Sequence, residues 1–209
     1  GFRAELIGRI LGLNGHMSVY SKGAPMQGFD DLAVRIGEIP GVITVTPQLE
    51  GQVMAMANGI ASGALVRGLR ASALLSRQIV PDNITTGSLE EFSSSSGVIM
   101  GARLARRLRV GVGDKITLIS PSTTVTVIGS VPRMRAFTVA ALFNVGMYEY
   151  DNTFIYMPLD AAQLFFKSGD AVNAVEVMVD DPQRVDALRL PLAKVIGGDK
   201  YAVDWKQQN

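Results

Sequence analysis

The chain has 209 residues with 20 basic and 19 acidic side chains, a net charge of +1, which gives no electrostatic footprint for nucleic acid or an anionic membrane surface. It has no cysteine and a single histidine, His16, so disulfides, thiol catalysis, thiolate metal sites and His-rich metal centres are excluded, and a Ser-His-Asp triad has only His16 to use. Apolar residues make up 47% of the chain, enough for one large domain or two small ones with a full core.

No apolar run approaches the roughly 20 residues that cross a bilayer; the most apolar stretch, Ala136 to Met147, is short and contains Asn144. Gly1-Phe2-Arg3 does not open a signal peptide. The missing initial Met and the abrupt stop at Gln207-Gln208-Asn209 read as a piece of a longer protein.

In chain order, Phe2, Leu6, Ile7, Ile10 and Leu13 are spaced for one face of a helix that Gly12, Asn14 and Gly15 end. His16 to Tyr20 reads as a strand. Asp30 caps a helix running to about Ile39, Pro40-Gly41 stops it, and Val42 to Thr46 is the next strand. These form one βαβ-like unit. Val53 to Met56, Asn58-Gly59 and Ala64 to Val66 read as a β-hairpin. Met54 and Met56 share a strand face and are assigned to the core, the other use of such a face being lipid or partner contact. Ala71 to Ile79 is helical, Pro81 to Gly87 a loop, the serines at 93–96 a bend and Val98 to Met100 a strand. Gly101 to Leu108 is a helix with Leu104 and Leu108 inward and Arg103, Arg106, Arg107 and Arg109 on a solvated side.

Ile116 to Ile119 begins a strand that leaves its sheet at Ser120-Pro121, runs through Ser, Thr and Val, turns at Ile128-Gly129-Ser130-Val131 and returns through Pro132 to Arg133–Phe137. A proline on each limb removes a ladder donor, so this hairpin stands clear of any sheet centre. It is either an ordinary surface loop or a partner-binding projection. Strands follow at Arg133 to Phe143 and Thr153 to Met157, and a helix from Pro158 to about Phe166. Ala174 to Val179, a helix from Pro182 that Pro191 kinks, and Tyr201 to Trp205 repeat the first pattern as a second βαβ-like unit. Two such units from opposite ends can complete one sheet. The reading is α+β: a discontinuous βαβ-βαβ domain of residues 1–50 and 170–209, with a mainly β domain of residues 51–169 inserted.

Catalytic equipment is sparse. Glu149, Asp151 and Asn152 near Tyr148 and Tyr150, and the Glu90-Glu91 pair, have no accompanying histidine, and neighbouring residues on a strand point to opposite faces. They read as a polar turn and a helix end. His16 reads as a packed or hydrogen-bonded residue, with a small hydrolase the reading that would need it. Val110 to Lys115 lacks the spacing of a phosphate loop. The domain is read as non-enzymatic, with no cofactor.

Three blocks carry a resemblance. Ile10-Leu11-Gly12-Leu13-Asn14-Gly15-His16 is one. Gly97-Val98-Ile99-Met100-Gly101, with Leu104-Ala105-Arg106-Arg107-Leu108 and Val112-Gly113-Asp114-Lys115-Ile116, is the second. Val203-Asp204-Trp205 with Gln208-Asn209 is the third. In this order they resemble the periplasmic domain of lipoprotein-releasing ABC transporter permeases, the LolC/LolE family, related to MacB and FtsX-type permeases. The resemblance implies a bacterial inner-membrane protein with four transmembrane helices and this piece between the first and second. It implies two subdomains, Porter and Sabre, matching the discontinuous and inserted parts. It implies lipoprotein substrates, a soluble periplasmic carrier (LolA-like), a cytoplasmic ATPase subunit and a second permease as partners, and no nucleic acid.

In the carrier-docking member a projecting hairpin enters the carrier's lipid cavity above a polar pad. Carried onto this sequence, Pro121 to Pro132 fits the hairpin, with Val127, Ile128, Gly129 and Val131 toward its tip, and Arg135 fits the pad. Thr117 stands where a basic pad residue is expected and Met134 where a polar one is. The alternative is the related efflux or cell-division permease domain, docking another envelope protein.

Overall fold

A computed structural model of the chain describes residues 1–93, 96–127 and 129–207. The elements in chain order are α1 (Phe2–Leu13), β1 (Met17–Ser21), α2 (Phe29–Gly37), β2 (Val42–Ala57), β3 (Ile60–Leu69) and α3 (Ala71–Ser76). Then come β4 (Ile84–Gly87), β5 (Gly97–Gly101), α4 (Ala102–Leu108), β6 (Lys115–Thr126), β7 (Gly129–Phe143) and α5 (Tyr148–Thr153). The last are β8 (Phe154–Pro158), α6 (Leu159–Phe166), β9 (Ala174–Val179), α7 (Arg189–Ile196) and β10 (Lys200–Asp204). Two compact units result: Gly1–Leu49 with Asp170–Asn209, and Glu50–Gly169.

In the first unit the sheet order is β10-β1-β9-β2, every neighbour antiparallel. The two strands of each β-α-β segment are therefore not adjacent. β1 and β2 run parallel with β9 between them, and β9 and β10 run parallel with β1 between them. This corrects the expectation of two self-paired βαβ units: both are split, and they interleave. Adjacent strands lie about 4.8 Å apart and a helix with its side chains is about 10 Å across, so a crossover that skips one strand leaves room for the helix it carries. Met17, Val19, Val175, Val177, Leu32, Ile36, Leu192 and Ile196 make the apolar core, and α2 packs on α7.

The other sheet face is polar and still buried. Ser18 and Thr46 flank Glu176 in register, and Gln48 Nε2 donates to Glu176 Oε1 at 2.7 Å.

Two helix details differ from the pattern reading. Asp30 lies in the first turn of α2 rather than capping it; the cap position is Gly28, in the left-handed region at φ 63°. Asp30 and Asp31 instead face the positive end of the helix dipole. Pro191 does not kink the last helix. The break falls upstream, where Pro182–Leu188 is a 3-10 segment with non-helical Arg184, and Pro191 sits in the first turn of α7, where an amide has no helical acceptor.

In the second unit β2-β3-β8-β5-β7-β6 closes on itself, because β6 pairs with both β7 and β2. β3–β8 and β5–β7 are parallel; β5–β8, β6–β7 and β2–β6 are antiparallel. The six-stranded barrel leaves these strands without a free edge along their paired length. Asn58 and Gly59 turn β2 into β3 with φ of 54° and 73°, the two positive values a tight hairpin turn requires. Residues Pro81 to Gly87 are not a simple loop: Pro81–Asn83 is a 3-10 turn, and β4 pairs with β7. Gly87, at φ 85°, lies so close to β7 that a Cβ would sit 2.2 Å from the Ala140 carbonyl oxygen.

Candidate partner-binding hairpin

β6 and β7 are longer than the barrel needs. β2 pairs with β6 only where Met54–Met56 meet Thr117–Ile119, and β5 pairs with β7 only from Thr138 onward. Beyond Ile119 the pairing recorded for β6 is with β7 alone: Ser120↔Arg133, then Thr123↔Pro132, Thr124↔Val131, Val125↔Ser130 and Thr126↔Gly129. These residues form a two-stranded arm about 20 Å long at the usual rise per residue. The strands continue through both prolines. The register shifts between Ser120 and Thr123, so Pro121 falls in an irregularity, and no third strand among the described residues calls for the amide hydrogen that Pro132 lacks.

The turn comes earlier than the sequence suggested, between Thr126 and Gly129 rather than at Ile128–Val131. Gly129 and Val131 belong to the returning strand. Val127 is in the turn and fully exposed. Pro121 and Pro132 are exposed on the two limbs. Ile128, expected at the tip, lies outside the described residues.

The root is tied down. Arg133 Nη1 donates to the Phe166 carbonyl oxygen at the end of α6. The Arg135 guanidinium lies 5.0 Å from the centre of the Phe137 ring, which meets Phe165 edge-on at 5.8 Å. Arg135 pairs with Leu118 and points to the barrel side of β7, half-buried. It does not share a face with Met134, which pairs with Ile119 on the outer side and is exposed. The structure thus brings together Pro121, Pro132 and the strand residues Gly129 and Val131 on the arm, with Val127 at its end and Arg135 at its root.

A family model for MacB-like periplasmic core domains matches residues 2–194. The chain belongs to that family. Among curated relatives, this MacB-like core domain is 27% identical to the LolC transmembrane protein of a lipoprotein-releasing system from Xylella fastidiosa (strain Temecula1), with 100% of the chain and 50% of the relative covered. It is 28% identical to LolC of Neisseria meningitidis serogroup B, covering 100% and 51%. It is 23% identical to LolE of Haemophilus influenzae, covering 98% and 50%. The chain spans about half the length of these curated relatives. Its fold is that of the crystal structure of the periplasmic region of MacB from Actinobacillus actinomycetemcomitans, at 11% identity, TM-score 0.60 and coverage of 90% and 87%. The extracellular domain of the noncanonic ABC-type transporter YknZ gives 10% identity, TM-score 0.59 and coverage of 90% and 99%.

Two other singled-out residues of this core domain, His16 and Asp151, have structural partners. His16 Nδ1 accepts the Val179 amide at 2.8 Å, and its carbonyl accepts the Trp205 amide at 2.9 Å. Asp151 is buried, and its carboxylate accepts the amides of Val145, Gly146 and Met147 at 2.8, 3.0 and 3.1 Å, shaping the loop before α5. No group of three or more metal-ligating side chains occurs among the described residues. Among the described residues no helix is long and apolar enough to cross a membrane.

Met54 and Met56 are not core. Met54 is 43% exposed and Met56 half-buried, while Val53 and Ala55 face inward. The sequence VMAMA is apolar in both phases of its alternation, so the pattern cannot tell which phase is inside.

Proposed function

We propose that this chain is the periplasmic domain of an inner-membrane ABC transporter permease that releases lipoproteins and hands them to a periplasmic carrier, with the β6–β7 arm as the docking element. The observation that carries the reading is the arm itself. It is a long hairpin with no third strand among the described residues, an apolar tip at Val127 and an anchored root. A two-stranded ribbon has no core of its own, and its apolar residues gain burial only inside another molecule. Insertion of Val127, Ile128 and Val131 into an apolar cavity supplies about 1.5–3 kcal/mol per fully buried aliphatic side chain. Arg135, half-buried at the root with its guanidinium over the Phe137 ring, adds positive charge at the base of the arm.

The names of the LolC and LolE relatives supply the cargo: they belong to lipoprotein-releasing systems. In this reading the unit of residues 1–49 and 170–209 is the Porter-like part and residues 50–169 the Sabre-like part. A cytoplasmic ATPase subunit and a second permease join through segments outside this chain, and ATP-driven rearrangement there is passed on to the periplasmic part. The test is capture of the carrier by the chain with residues 124–131 replaced by Gly-Ser. Loss of capture supports the docking role, and undiminished capture rejects it.

A further inference from the structure

The whole-chain charge of +1 hides a local concentration. Arg103, Arg106 and Arg107 on α4, and Arg109 just past it, are all exposed. The first three stand at i, i+3 and i+4 and share one outward face, while Leu104, Ala105 and Leu108 are buried. Among the described residues none of the four pairs with a carboxylate. Arg103 instead lies 5.2 Å from the centre of the Tyr148 ring, and Arg107 Nη2 donates to the Ser62 hydroxyl and to the Asn152 carbonyl. Of the neighbouring acids, Asp114 accepts the Gly111 amide, Asp151 is buried on its loop amides, and Glu149 is exposed next to Tyr148. Local forces do not favour the cluster. Like charges three and four residues apart repel, and Arg103 stands in the first turn of α4, where the helix dipole disfavours a cation. The cluster also has a defined place in its unit. Gly101, from which α4 starts, pairs with Phe143 at the end of β7, about 26 Å along the strand from Arg135. The β2–β3 turn holds the other end of α4 through Asn58. Arm and arginine face therefore lie at opposite ends of the barrel.

We propose that the arginine face of α4 rests on the anionic phospholipid headgroups of a membrane surface, leaving the arm directed into the aqueous phase. The choice of a membrane rests on the reading of the chain as a domain of an inner-membrane permease. A guanidinium stays charged at any working pH and pairs readily with phosphate oxygens. Attraction to a charged surface fades over about 10 Å at moderate salt, so the charges that face it count and the balance over the whole chain does not. Tyr148, 64% exposed beside Arg103, is of the residue type that gathers at membrane interfaces. An acidic protein is the less favoured occupant. The centre of a protein interface is depleted of charge, and here four arginines surround a single exposed tyrosine. A carrier that has taken in the arm stands at the other end of the barrel, so the two contacts do not compete.

The test is co-sedimentation of the 209-residue chain with vesicles of phosphatidylcholine containing about 30% phosphatidylglycerol, against vesicles of phosphatidylcholine alone. Binding is expected on the anionic vesicles only and weakens as salt rises. R103Q with R106Q and R107Q is expected to lower the partition about tenfold or more, with carrier capture unchanged. R103K with R106K and R107K is expected to retain most of the binding, because an ammonium brings the same charge to a diffuse anionic surface. R106E alone alters a side chain with no partner among the described residues and is expected to weaken binding too, which keeps the test open should the triple glutamine variant fail to fold. Undiminished sedimentation of R106E, equal sedimentation with the neutral vesicles, or no sedimentation of the unaltered chain overturns the inference and leaves the docking role of the arm intact. Loss in the triple lysine variant as deep as in the glutamine one overturns it in favour of a partner that reads the guanidinium fork, such as an acidic protein. Failure of the unaltered chain to capture carrier, with anionic vesicles still bound, rejects the docking role of the arm and leaves the membrane face standing.

Discussion

Arg133, at the root of the arm, donates from Nη1 to the carbonyl oxygen of Phe166, the last residue of α6. The bond places a guanidinium at the negative end of a helix dipole, where a cation is favoured. Phe166 is held from the other side by Gly51, where a Cβ would lie 2.5 Å from the ring. Arm, helix and β2 are thereby locked at one point. Replacing Arg133 by Ala removes a charge-assisted bond and is expected to cost about 1–2 kcal/mol, allowing for its partial exposure. Chemical denaturation measures the loss. Amide exchange at residues 115–120 should rise, and Lys at 133 should restore only part, because an ammonium cannot reproduce the planar fork.

Asn58 serves two structures at once. It supplies one of the two positive φ values of the β2–β3 turn, and its Nδ2 donates to the carbonyls of Leu108 and Arg109 at 2.9 and 3.0 Å, closing the end of α4. Asn58→Gly keeps the turn and removes the cap; Asn58→Ala removes the cap and strains the turn. The glycine variant is expected to lose about 1 kcal/mol and the alanine variant about 2 kcal/mol, read as the difference between two denaturation midpoints. Equal losses would mean the turn carries none of the effect.

Gly101 ends β5 where α5 crosses it. A Cβ there would lie 2.1 Å from the Asp151 carbonyl oxygen and 2.5 Å from its carbonyl carbon. These are backbone atoms, so no side chain can swing aside. Gly101→Ala is expected to destabilise by about 2–3 kcal/mol and to loosen the loop whose amides Asp151 holds. Thermal melting reports the first effect and amide exchange at residues 145–147 the second.

Much of the local structure is visible in the residues. Asn58-Gly59 announces its turn, Leu104 and Leu108 mark the inner side of α4, and Val175, Val177 and Val179 mark the inner side of β9. Partnership between distant strands is less visible. Nothing local in residues 54–56 indicates that they pair with 117–119 and close a barrel, and equal spacing in the two terminal segments cannot say that their strands interleave. The arm was legible from its Ser, Thr and Val limbs and its prolines. Its turn was misplaced because Gly129 suggests a reversal, while the reversal occurs just before it and Gly129 begins β7. Arg135 could be found by resemblance, but its packing over Phe137 could not, since that depends on which face of β7 turns inward.

The proposed docking role of the arm is tested most directly by a photo-crosslinking residue at position 127 of the full-length protein in native membranes, with mass spectrometry of the adduct. Val127 is fully exposed in the turn, so the substitution leaves the fold untouched. The account expects adducts on residues lining the lipid cavity of the periplasmic carrier, lost when carrier is depleted. Adducts confined to a different envelope protein, with the carrier unlabelled at saturating concentration, would contradict it.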